Sequence, residues 1–205
     1  RASLNASSND RWARSASFLL IAVTIMCYFV ILVPLKSSVP AAELTAIYPV
    51  TAYFAFIGLG YLLIEIAQMQ RLIIFLGCPV YGLTVVLFAL LLSGGIGSFL
   101  TGTLKQAVRD RHQPLCLFGL LLLTLVLSGL LTPAVIDEYR GAPTLMRLAV
   151  AVVCVAPIGL LMGMPFPWRM QLVRTNHPLI APWLWGVNGA ASVGASIIAA
   201  LIALS

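Results

Sequence analysis

Apolar positions run in long unbroken blocks along this chain, and its polar residues gather in short clusters between them. Blocks longer than the roughly 18 residues that separate a spanning helix from a buried core helix predict helices over about 15–35, 46–70, 79–104, 114–136, 144–164 and 181–204. No block alternates as a transmembrane β-strand would. The expected fold class is all-α: a polytopic integral membrane helical bundle of about six transmembrane helices. RLIIFLGCP, ending in Gly77 and Pro79, is apolar but too short to cross. It reads as a short interfacial or re-entrant piece near 71–79.

The clusters between blocks are KSSVPAAE, KQAVRDRHQP, DEYRGAP and PFPWRMQLVRTNHP, and none has room for a soluble domain. The chain therefore reads as a polar N-terminal linker over 1–14 followed by a single transmembrane domain over 15–205. The opening RASLNASSNDRWARS is Ser- and Asn-rich and has no initial Met, which fits a linker left by processing or by the choice of chain boundary. The first apolar block is longer than a signal-peptide core and lacks a small-x-small cleavage site, so it reads as a retained helix.

Composition agrees. The 205 residues are 61% hydrophobic and 9% charged, with a mean hydropathy of +1.04, against roughly 25% charged in a soluble domain. Net charge is +6, but the basic residues are spread over termini and loops. That distribution suits lipid head groups and gives no basis for nucleic-acid binding. On alternate sides, Arg1, Arg11, Arg14, Arg71, Arg140 and Arg147 balance Lys36, Lys105, Arg109, Arg111, Arg169 and Arg174. The positive-inside rule is tied, and only the dense KQAVRDR cluster favours its own loop as cytoplasmic.

Candidate chemistry centres on YLLIEIAQMQR, where Glu65 falls inside the second block. A charge at helix centre costs roughly 2.5–3.5 kcal/mol on insertion scales, so Glu65 must face protein or water, or carry a proton. Steps of three and four residues collect Thr51, Gly58, Tyr61, Glu65 and Gln68 on one helix face. Arg71 is about 9 Å further along and about 240° around, a poor partner. The last block offers Trp185, Asn188, Ser192 and Ser196 on one stripe, and Asn188 at that depth requires a hydrogen bond. Arg169, just after PFPW, is the candidate cation. The expected intramembrane polar site is Tyr61, Glu65, Gln68, Asn188 and Arg169. It serves either as glue between helices or as an ionisable group on a substrate or proton path.

SGGIGS at 93–98 lies within an apolar helix and follows no strand, so it is no nucleotide loop. With GAASVGAS at 189–196 it predicts close helix packing at Gly94, Gly95, Gly97, Gly189 and Gly194. Cys27, Cys78, Cys116 and Cys154 form neither a CxxC nor a haem-attachment motif and read as packing residues. His112 and His177 stand in polar loops, whereas haem or pigment ligation calls for histidines at membrane depth. With no HExxH, carboxylate pair or Ser-His-Asp set, no catalytic residue, metal or cofactor is expected.

GLGYLLIEIAQMQRLIIFLGCPVYGLTVVLFALLLSGGIGSFLTG, LLMGMPFPWRMQLV and PWLWGVNGAASVGAS resemble the membrane region of bacterial fused major-facilitator/spermidine-synthase-like proteins. The resemblance covers roughly residues 46–204. It implies a multi-pass protein of the bacterial inner membrane, with Glu65, Arg71, Pro165, Phe166, Pro167, Trp185, Asn188 and Gly189 as positions that define the module. The Rossmann-like synthase domain such proteins carry would need a strand, glycine turn and helix, and these residues form none. The leading expectation is a non-catalytic membrane subunit or anchor that packs against lipids and other membrane protein subunits in a larger complex. The competing one is a transporter-like module in which Glu65 takes a small cationic ligand, polyamine-like, or a proton. A membrane enzyme acting on lipid or polyamine is the least supported class.

Overall fold

The computed structural model describes residues 41–104, 113–176 and 178–204, with Ser15, Phe18, Ile21, Ala22, Ile25 and Phe29 of the first apolar block. The linker over 1–14, the rest of the helix expected over about 15–35, residues 105–112, Cys27 and both histidines lie outside the described residues.

The described chain is helical: α1 Ala41–Leu76, α2 Pro79–Leu104, α3 Gln113–Tyr139, α4 Thr144–Met162, α5 Pro165–Asn176 and α6 Ala181–Leu204, with a 3-10 turn at Pro178–Ile180. Among the described residues, five stretches are long and apolar enough to span a membrane: Tyr48–Leu76, Pro79–Gly102, Leu115–Tyr139, Thr144–Thr175 and Pro178–Ile202. The chain is a multi-pass, all-helical membrane protein. Pro49, Pro133 and Pro157 lie inside helices, as membrane helices tolerate.

Two expectations change. Residues 71–76 are no separate re-entrant piece: they continue α1 to Leu76. The break is at Gly77, whose φ of 70° suits a residue without Cβ and whose N–H donates to Ile73 O at 3.0 Å. Pro79 then starts α2, where its missing N–H costs nothing. The cluster PFPWRMQLVRTNHP is largely helix, since Pro165 and Pro167 stand in the first turn of α5, the one place prolines suit a helix. The break before it is short. Gly163 N–H still reaches Gly159 O at 2.9 Å, Met164 N–H reaches Leu161 O at 3.4 Å, and Trp168 N–H reaches Met164 O at 3.3 Å.

The chain divides into two compact units, Ala67–Leu172 on one side and Arg1–Ile66 with Val173–Ser205 on the other. In the first, Leu72, Phe75 and Leu76 of α1 pack with Val86, Ala89 and Leu90 of α2 and Ala151 and Val155 of α4, with Ile136 and Tyr139 of α3 against them. In the second, Phe54, Leu184 and Ala195 are fully buried.

Candidate functional site

The polar face of α1 forms as its spacing requires. Glu65 is 6% exposed and Gln68, three residues on along the same helix, 7%; Tyr61 lies one turn before Glu65 and is half-buried. Neither Glu65 nor Gln68 makes a hydrogen bond or ion pair among the described residues. The Thr51 hydroxyl, further down the same face, is buried without a partner there. Glu65 is the one described acidic side chain away from a helix end. Asp137 and Glu138 close α3, where Asp137 pairs with Arg140 at 2.9 Å on the exposed surface.

Asn188 and Ser192 of the α6 polar stripe are committed elsewhere on α1, while Ser196 donates within α6 to Val193 O at 2.7 Å. Asn188 Nδ2 donates to Phe54 O at 3.0 Å, and Ser192 Oγ lies 3.1 Å from Gly58 O and 3.0 Å from Asn188 O. Both cross-helix pairs are 134 residues apart in sequence, so the two helices run parallel in one register. A Cβ on Gly58 would overlap Asn188 O and stand 2.8 Å from Asn188 Nδ2, so the close approach needs glycine. Phe54 precedes Glu65 by eleven residues, about 16 Å along the axis at 1.5 Å per residue. Asn188 is therefore not brought to Glu65. The same offset sets Tyr61 level with Ala195 and Glu65 level with Ala199, which offer no donor. Arg169 and Gln68 fall in the Ala67–Leu172 unit, Arg169 in the first turns of α5 and half-buried.

Of the packing glycines, Gly94 and Gly97 meet α4. A Cβ on Gly97 would overlap the Leu160 carbonyl, and one on Gly163 would overlap Gly94 O. Gly95, Gly189 and Gly194 have open space where a Cβ would stand, among the described residues. The seam also uses Gly159, whose Cβ would overlap Ser93 Oγ, while Ser93 itself donates to Ala89 O at 2.6 Å. Gly159 and Gly163, four residues apart, are a small-xxx-small pair that the chain displays and the expectation omitted. Also unforeseen is Arg147, which donates from Nη2 to Phe75 O at the end of α1. Its guanidinium carbon is 5.6 Å from the Phe75 ring centroid.

No group of three or more His, Cys, Asp or Glu capable of holding a metal occurs among the described residues. What the described geometry defines is a multi-pass helical membrane protein with a buried carboxylate on α1 that has no ion pair among the described residues. No family model, curated protein or solved structure matches the chain.

Proposed function

We propose that the chain is a non-catalytic integral membrane subunit or anchor that packs against partner proteins, in a bacterial inner membrane as its motifs' resemblance to the fused major-facilitator/spermidine-synthase-like proteins implies. The observation that carries this reading is the pair Gly189 and Gly194 on α6, which have nothing within 4 Å of a built Cβ among the described residues. Glycines in a membrane helix make room for a second backbone, and lipid tails gain little from that room. Supporting it, only 11% of the apolar window of the last span and 6% of that of Leu115–Tyr139 are buried within the chain. Purification in mild detergent, with mass spectrometry of what stays bound, tests this reading. The same large partners are expected with wild type and Glu65→Gln, and their loss with Gly189→Leu. A chain that purifies alone, or partners indifferent to Gly189→Leu, would count against it.

The second reading is a transporter-like module whose Glu65 takes a small cation or a proton. It is favoured by one observation, a carboxylate 6% exposed with no ion pair among the described residues. Glu65→Gln with assembly intact and uptake lost is the outcome it requires.

A further inference from the structure

We propose that Glu65 is a reversible proton-binding site, its carboxyl group exchanging a proton with water from within the α1 span; this rests on the second reading above and narrows its ligand. The position is demanding: seventeen residues separate Glu65 from Tyr48 and eleven from Leu76, the ends of the span. A carboxylate there costs roughly 2.5–3.5 kcal/mol unless something neutralises it.

Among the described residues no cation forms an ion pair with Glu65. α6 carries no titratable side chain along its length. Of its polar side chains, Asn188 and Ser192 are held against α1 backbone carbonyls at Phe54 and Gly58, about 16 and 10 Å before Glu65 along the axis, and Ser196 donates within α6 to Val193 O at 2.7 Å. In that register Glu65 stands level with Ala199, and Tyr61 with the fully buried Ala195. On α1 itself, the Tyr61 phenol is the titratable neighbour one turn back, and Arg71 points about 240° away.

Charge and coordination then select the ligand. A polyamine or divalent ion would leave net positive charge against one carboxylate. Bound metal cations such as calcium and magnesium take six or more oxygen ligands. The α1 face supplies two carboxylate oxygens, a phenol and, one turn on, the buried Gln68 side-chain carbonyl, still short of six, and alanines stand level with Tyr61 and Glu65 on α6. A proton needs a single oxygen, and it removes the charge outright.

Dicyclohexylcarbodiimide is an apolar probe that adds the O–H of a protonated carboxyl across its C=N bond and leaves a stable N-acylurea after acyl transfer. Membranes containing the whole chain would be labelled across a pH series and the adduct located by peptide mass spectrometry. The expected result is an adduct on Glu65, absent in Glu65→Gln. Its yield should fall roughly ten-fold per pH unit beyond its midpoint, as for a one-proton site, and Tyr61→Phe should move that midpoint. Asp137 and Glu138, exposed at the end of α3, should react with a water-soluble carbodiimide instead. No adduct at any pH, with labelling restored on denaturation, would overturn the proposal by showing an inaccessible or paired group. An adduct independent of pH would also overturn it, leaving Glu65 a fixed neutral packing acid. Protection by sodium or spermidine at constant pH would overturn the proton and leave the cation-binding reading standing.

Discussion

Asn188 donates from its side-chain amide to the backbone carbonyl of Phe54 at 3.0 Å, and one turn on Ser192 repeats the contact at Gly58 O. Each acceptor is a carbonyl within α1, so α6 is fastened along a ladder. Hydrogen bonds between membrane helices are worth about 0.6 kcal/mol on average and about 1.7 at most. Asn188→Ala should therefore lower stability by about 1 kcal/mol. Gly58→Ala should cost more, since its Cβ would overlap Asn188 O, and backbone cannot turn aside as a side chain can. Unfolding midpoints in a mixed-detergent titration would rank the two.

The seam between α2 and α4 predicts a contrast between two neighbouring glycines. Met164 N–H bonds Leu161 O and Pro165 has no N–H, so the Leu160 carbonyl loses its usual donor and sits against Gly97, a close approach of the Cα–H···O kind. Gly97→Ala should destabilise by roughly 1–3 kcal/mol, the usual range for overpacking. Gly95→Ala, with nothing within 4 Å, should be neutral or slightly stabilising, since alanine is the better helix former. Thermal aggregation of the purified variants would separate them, and equal losses would mean that the seam is not where α2 and α4 meet.

The corner after α1 joins three residues. Arg147 reaches from the first turn of α4 to the carbonyl of Phe75, stacks on its ring, and lies 3.2 Å from where a Gly77 Cβ would be. Gly77→Ala meets both the left-handed φ, a penalty of roughly 1–2 kcal/mol, and the guanidinium. Arg147→Lys keeps the charge but loses the planar group that serves the carbonyl and ring together. Both substitutions should sensitise the chain to proteolysis near Gly77, and Arg147→Lys should not rescue Arg147→Ala.

The five described spans and their order were legible in the sequence because lipid demands about twenty apolar residues per crossing, and no tertiary detail alters that demand. The face carrying Tyr61, Glu65 and Gln68 was legible for a similar reason, since helical spacing alone puts them together. Partnership across helices was not. Asn188 and Glu65 both require company at membrane depth, yet need says nothing of register, and the structure sets them three turns apart. Glycines divide in the same way. Composition marks Gly94, Gly97, Gly189 and Gly194 alike, while only a partner's position tells an occupied groove from an empty one. The PFPW cluster misled because prolines and arginines signal a loop in the middle of a helix and are welcome in its first turns.

Register gives the most direct test of the α1–α6 pairing. A constant offset of 134 residues links Phe54 to Asn188 and Gly58 to Ser192, and carried one turn further it links Tyr61 to Ala195. In a variant with the native cysteines replaced, Tyr61→Cys with Ala195→Cys should form a disulfide on mild oxidation. Disulfides require Cα atoms within about 7 Å, and Ala195 is fully buried at the level where Tyr61 stands. Glu65→Cys with Asn188→Cys should stay reduced, because about 16 Å of helix axis separates them. Gel mobility after oxidation reads both pairs at once. The reverse pattern would place Asn188 beside Glu65 after all, giving the carboxyl a hydrogen-bonding partner and removing the ground for its exchanging a proton.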